Sequence, residues 1–325
     1  MEEVFFALPK NMTRLYTFCL LLCLGPACMA QDFATIHLKD SAHLFGRGSV
    51  SNGDFTYNTS FTPDGNTVYF SKATMNWAYI AIFYATREDD EWSTPRPISF
   101  TGVYRDTDPF VSPDGKRLYF CSDRPLQGKT FKDFDYHLFY VELKGNAADP
   151  SANASPTPVP LPLPEDMKLL YPSFADNGDL YFCASDSSND SDIYSCAFVD
   201  GAYQPPVRLP FNDKHLVDID PVVARDESFI IFTSVNRKGF GFVDLWVSFK
   251  RDNEWSAPIN MGNKINSPGR DAAPGLSPDN KKFYFSATRE TVKERPTHET
   301  IDSLLHSPAD GMPQIYEIDI SDLKD

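Results

Sequence analysis

Five aspartates stand at matched places along this 325-residue chain. Asp106, Asp218 and Asp271 each lie three residues ahead of a proline, at Pro109, Pro221 and Pro274. Asp108 and Asp220 lie one residue ahead of the same prolines. Leu169 and Tyr171 hold these two places before Pro172, Thr56 and Asn58 hold them before Thr59, and Ala273 completes the nearer column. Arg105, Lys168 and Arg270 flank the set. Gathered around one opening, such carboxylates could hold a divalent cation or a cationic ligand, and the basic residues could answer an anionic group. The competing expectation is structural. Polar residues that recur with a repeat often satisfy backbone amides of the neighbouring repeat.

Two other groupings invite chemistry. The loop Asp186-Ser187-Ser188-Asn189-Asp190-Ser191-Asp192 crowds acidic oxygens, with Asp186, Asn189, Asp190 and Asp192 as weak calcium ligands. It lacks the glycine and terminal glutamate of an EF-hand loop, and a polar hairpin tip is the plainer reading. Cys183 and Cys196 lie on neighbouring strands and could form a disulfide; two small buried residues are the alternative, as for Cys121. There is no HExxH, no nucleophile elbow, no phosphate-binding loop and no dinucleotide fingerprint. No cofactor is expected beyond calcium.

A repeated unit has to position these residues. Phe61-Thr62-Pro63-Asp64-Gly65 leads into Val68-Tyr69-Phe70, and Val111-Ser112-Pro113-Asp114-Gly115 into Leu118-Tyr119-Phe120. Weaker copies end at Phe182, Phe232 and Phe285, so the intervals are 50, 62, 50 and 53 residues. Pro presets φ and Gly supplies φ > 0 for a tight turn between two strands. A third strand follows in each unit, as in Asp244-Leu245-Trp246-Val247, and then a Pro-containing run suited to an outer edge, as in Trp92-Ser93-Thr94-Pro95. Four antiparallel strands per unit make a propeller blade. The expected fold is all-β: one five-bladed propeller, with repeats near 55–103, 104–166, 167–215, 216–267 and 268–325. The last unit lacks a fourth strand, which the segment His43 to Val50 can supply to close the ring. A six-bladed ring is the alternative, using residues 145–168, which read better as an insertion. A second insertion, 291–311, can carry a short helix near 297–305.

The repeats resemble the TolB-type, or WD-like, β-propellers of exported bacterial proteins. The resemblance rests on Ser112-Pro113-Asp114-Gly115, Ser122-Asp123-Arg124, Asp192-Ile193-Tyr194, Asp244-Leu245-Trp246 and Trp255-Ser256-Ala257-Pro258. It implies the propeller fold and a binding scaffold of the bacterial envelope, with function left to the site.

Lys plus Arg is 30 and Asp plus Glu is 45, a net charge of −15. That disfavours nucleic acid and anionic membrane as partners. Arg14, the apolar run Leu15 to Leu24 and Ala27-Cys28-Met29-Ala30 read as a secretory leader cleaved after Ala30, followed by the propeller domain 31–325. The run is too short to span a bilayer, and Gly25-Pro26-Ala27 is a poor lipobox for Cys28. A periplasmic or secreted monomer is therefore expected. With no catalytic motif, the leading function is non-catalytic: a protein or peptide ligand held at the channel mouth by Asp106, Asp108, Asp218, Asp220, Asp271, Arg105, Arg270 and Tyr171. The competing reading is a carbohydrate-active hydrolase or lyase using the channel carboxylates.

Overall fold

The computed structural model describes residues 33–143, 149–150, 154–165, 167–185, 191–289, 297–305, 307 and 311–323. The leader expected at 1–30 lies outside them. Five sheets form the blades of a propeller. Their inner strands are Thr56–Phe61, Asp106–Val111, Lys168–Phe174, Val217–Val223 and Asp271–Leu276. Each pairs antiparallel with a second strand, which pairs with a third. The outer strands are two-residue pieces: Arg96–Pro97, Thr157–Pro158, Val207–Arg208, Ile259–Asn260 and His43–Leu44. Edges this short, two of them with proline, offer little template for another chain.

The turns follow from the sequence. In the three copies with Thr-Pro-Asp or Ser-Pro-Asp, the hydroxyl of Thr62, Ser112 or Ser277 donates to the Asp two residues on, each at 2.6 Å. The same Asp accepts the amide of Asn66, Lys116 or Lys281. Gly65, Gly115 and Gly178 supply positive φ, and Glu227 and Asn280 take it in the other two blades. The degenerate repeats therefore keep the turn geometry.

Burial lies between blades. Five apolar clusters occupy the five blade-to-blade seams. One of them packs Tyr69 and Ile82 of the first blade against Leu118 and Phe120 of the second. A sixth cluster, with Phe55, Tyr57, Tyr171, Cys183 and Ala273, fills the axis.

The N-terminal segment closes the ring as expected. His43 and Leu44 pair with Glu317 and Tyr316 and complete the fifth blade. Farther back, Ala34 and Ile36 bond to Asn260 at the edge of the fourth blade. Phe45 is buried at the fifth-to-first seam, with its ring 5.0 Å from Tyr284, 5.8 Å from Phe61 and 5.4 Å from Trp92. Gly275 touches Thr59 so closely that a Cβ would lie 2.4 Å from its hydroxyl oxygen. The stretch read as an insertion at 145–168 supplies the outer strand of blade two, Thr157–Pro158 paired with Tyr140 and Phe139. The expected short helix is present at Ile301–Leu305.

Because Phe45 joins first and last blades, Phe45→Ala is expected to cost about 3–5 kcal/mol. Urea unfolding should show a lower midpoint with the slope unchanged. A shift near zero would mean the seam is held by the strand pairing alone.

Candidate functional site

The recurring column one residue before the prolines adopts a single backbone conformation. Asn58, Asp108, Tyr171, Asp220 and Ala273 all have φ between 52 and 58°. Each marks a bulge, where the inner strand loses register with the second strand. Proline at the next position has no N–H for the ladder, which suits an interruption there. The left-handed region tolerates Asn and Asp but strains Tyr and Ala. The kink turns these residues into the axis.

Bonds between blades then form around them. Asp108 accepts the amide of Tyr171 in the next blade at 3.1 Å, the Thr107 hydroxyl at 2.9 Å and the Asn58 amide at 3.4 Å. Its own amide donates to Ser71 of the preceding blade. The amide of Ala273 donates to Thr233 in the blade before it. The Tyr171 hydroxyl donates to the Pro274 carbonyl at 2.7 Å. That bond reaches from the third blade to the fifth, so the ring of Tyr171 crosses the channel and blocks it. A slot of about 40 Å³ remains on the turn side. On the other side lies a blind pocket of about 340 Å³, with Tyr57, Trp77, Phe134, Tyr136 and Tyr171 among its walls and Asp108, Asp220 and Arg270 at the polar positions.

The farther column does something else. Asp106 and Asp218 are wholly buried and pair with arginines that follow the second strand of their own blade. Arg124 donates to Asp106 at 2.6 Å and Arg237 to Asp218 at 2.9 Å. Arg289 lies 3.6 Å from Asp271, which accepts the Ser267 amide and hydroxyl. These guanidinium groups stack on the blade aromatics: Arg124 on Phe120, Arg237 on Trp246, Arg289 on Tyr316. Asp106, Asp218 and Asp271 are therefore internal brackets of the blades and do not line the pocket, contrary to the expected ring of five carboxylates. The register explains it: without the kink, residues at this position stay in the sheet and face their own blade.

Arg105 also has a different role. It donates to Asp123 and Asp133, each at 2.8 Å, reaches the Trp77 carbonyl and stacks 4.3 Å from the Phe134 ring centre. It ties together the two loops that carry Trp77 and Phe134, both held at φ 58°. Bulky residues are rarely found in that region, and such outliers concentrate at binding sites. Arg270 makes no ion pair among the described residues and faces Asp220. The acidic loop 186–192 mostly lies outside the described residues; Asp186, Asn189 and Asp190 fall there. Asp192 gives both oxygens to Arg208, at 2.5 and 3.0 Å, which leaves it spent as a cation ligand. Among the described residues no group of three or more His, Cys, Asp or Glu side chains could hold a metal. Cys183 and Cys196 are free. They oppose Ile193 and Leu180, three rungs apart and on opposite faces, so the alternative of two small buried residues is the one found.

Burial raises the carboxyls of both columns. Burial and the facing Asp220 push the Asp108 carboxyl up to about 7. Burial pushes Asp220 up to about 6, with Arg270, Thr233 and the Ala273 amide pulling the other way. Burial also takes Asp271 to about 6, against Ser267 and Arg289. Trp77, Phe134, Tyr57 and Tyr136 were not legible as site residues. They come from irregular loops or strand ends, and the only trace in the sequence is an aromatic surplus.

Comparisons with known proteins fit this fold. No protein-family model matches the chain, and no curated protein matches it. Among solved structures it is similar to an endo-arabinase from Bacteroides thetaiotaomicron, at 13% identity and a TM-score of 0.51, over 87% of this chain and 99% of that one. It is also similar to a TolB-designated protein from Agrobacterium tumefaciens, at 16% identity and a TM-score of 0.48, over 82% of this chain and 91% of that one. An α-L-arabinofuranosidase from Lactobacillus brevis follows at 14% identity and a TM-score of 0.45, over 83% and 91%. At these identities the likeness is one of fold.

Two outcomes are expected. Asp106→Ala leaves Arg124 buried without its partner and should cost about 3–5 kcal/mol in urea unfolding; an unchanged midpoint would return Asp106 to the pocket. The second concerns pH. A carboxyl whose folded pKa is raised binds its proton more tightly when folded, so its contribution to stability is fullest below the unfolded value near 4 and is lost as pH climbs through 6 and 7. The unfolding midpoint should therefore fall between pH 4.5 and 7.5. Asp108→Asn, which can still accept from Tyr171, should flatten that fall; an equally steep fall in the variant would place the protons elsewhere.

Proposed function

We propose that this chain is an exported, non-catalytic binding module of the bacterial envelope that takes a protein or peptide segment on the pocket-bearing face. The observation that carries this reading is an apolar surface beside the pocket. Met75, Tyr79, Val103 and Phe131 are exposed there, Tyr79 at 76% and Val103 at 83%. They edge a groove of about 740 Å³ that runs between the first two blades and also has Lys72, Asp54 and Arg105 along it. Contiguous exposed apolar residues with a polar rim are the usual mark of a protein contact. The leader-like sequence ahead of Gln31 supports export, and among the described residues no helix is long and apolar enough to cross a membrane.

One observation favours the hydrolase or lyase reading. Two carboxyls, Asp108 and Asp220, converge on a blind pocket with raised pKa, as catalytic acids do. Asp108 argues against it. Three of its acceptor positions are already committed to Thr107, Asn58 and the Tyr171 amide, which fixes it as a bridge between blades.

Affinity capture from envelope extract with the wild type and with Tyr79→Ser/Val103→Asp separates the readings. A partner held by the wild type and lost with the double variant is expected. Identical capture by both, together with release of reducing sugar from a glycan panel that Asp108→Asn abolishes, would favour the enzyme.

A further inference from the structure

We propose that the blind channel pocket is a receptor for one cationic side chain, a lysine or arginine carried by the peptide segment that docks on this face. The proposal rests on the binding reading above and adds the chemical group that the pocket selects.

Three features converge. The first is the wall. Trp77 stands with Phe55 and Tyr57 as ring neighbours, with centroids 5.1 and 5.5 Å away, and Phe134 and Tyr136 stand 6.4 Å apart. Aromatic faces around a cavity attract a desolvated ammonium or guanidinium. The protein already uses this attraction at the rim, where Arg105 lies over Phe134. The second is the charge at the polar end. Two carboxylates, Asp108 and Asp220, face one guanidinium, Arg270, so one negative charge remains when both are ionised and a single cation neutralises it. Arg270 pulls on Asp220, whereas the groups that bond Asp108 are uncharged: the Thr107 hydroxyl, the Asn58 side-chain amide and the Tyr171 backbone amide. The third is size. About 340 Å³ sits near the lower end of ligand pockets, roughly 300–1,000 Å³, which suits one side chain better than a glycan chain. The Tyr171–Pro274 bond closes the far end, so a long ligand cannot thread through.

Protonation of the pocket carboxyls competes with a bound cation. The other titratable groups facing Asp108 are the hydroxyls of Tyr57, Tyr136 and Tyr171 and the thiols of Cys121 and Cys183. Burial raises all five, so they stay neutral through the physiological range. The Arg105–Asp123 ion pair stands at the rim, at 2.8 Å. Between pH 5 and 8 the charge of the pocket is therefore set by Asp108 and Asp220. A cation binds the ionised form and expels a proton, so affinity rises with pH.

Isothermal titration of the purified protein with Nα-acetyl-lysine amide and Nα-acetyl-arginine amide tests this, with Nα-acetyl-norleucine amide as the uncharged control and cellobiose as a neutral sugar. A cationic probe should bind at pH 8 and bind at least tenfold more weakly at pH 5.5, with protons released to the buffer near pH 6.5. Norleucine amide should not bind. Trp77→Ala should weaken the cationic probe at least tenfold and Trp77→Phe should restore most of the affinity, which separates the aromatic wall from lost packing on Phe55 and Tyr57. Norleucine amide binding as well as lysine amide, cellobiose binding with no pH dependence, or no cationic binding at 20 mM probe would each overturn the proposal. If the cationic probes bind while Tyr79→Ser/Val103→Asp still captures every partner, the docking face is wrong and the pocket stands. If capture is lost in that variant and no cation binds, only the pocket proposal fails.

Discussion

One backbone event underlies the propeller: each inner strand enters the left-handed region one residue before its proline column. The kink breaks the ladder, frees an amide and turns a side chain toward the axis. Neighbouring blades then bond through those freed groups, as when Asp108 takes the Tyr171 amide and Ser71 takes the Asp108 amide. A propeller has no single core, and its cohesion comes from seams between blades plus whatever ties the axis. Here the axis is tied by polar atoms in a low-dielectric setting, where satisfied bonds are worth most and unsatisfied ones cost most. The same kink that fastens the blades leaves Asp108 and Asp220 beside a cavity, short of counter-charge.

The two aspartate columns show how much a two-residue offset decides. Both recur with the repeat, and both are acidic. Three residues before the proline, Asp106 and Asp218 remain in regular sheet and meet an arginine from their own blade. One residue before it, Asp108 and Asp220 are rotated into the channel. The bracketing arginines also carry the aromatic packing of their blades, so charge and apolar burial are settled together at Arg124, Arg237 and Arg289.

The fold was legible in the sequence because its cause is periodic. The Ser-Pro-Asp-Gly turns, the alternating second strands and the missing last strand identified five blades and the closure through His43–Leu44. The degenerate third and fourth turns kept their geometry because Asn177 and Asp226 still accept an amide two residues on. Residues 145–168 misled because the outer strand of blade two is only two residues long and sits within a proline-rich tract. The site was half legible. Its carboxylates and Tyr171 follow the repeat, whereas Trp77, Phe134 and Tyr136 do not. Those rings are placed by loops that differ from blade to blade and are held by Arg105, whose partners Asp133 and the Trp77 carbonyl lie 28 residues away on either side. Periodicity cannot foresee such a clasp. Nor could strand adjacency alone decide the Cys183–Cys196 question, because it depends on register and face.

What builds the ring is distinct from what the ring exposes. Buried brackets and seam aromatics hold the blades. The inter-blade bridge at Asp108 closes one end of a pocket whose aromatic mouth is held in strained backbone, next to an apolar groove. The central claim is that burial and the facing Asp220 raise this bridging carboxyl to about 7. Carbon-13 NMR titration of aspartate side-chain carboxyls, with Asp108 assigned by its asparagine variant, measures this directly. The account predicts a midpoint for Asp108 near 7, well above the ordinary aspartate range. A midpoint for Asp108 at or below 4 would contradict it.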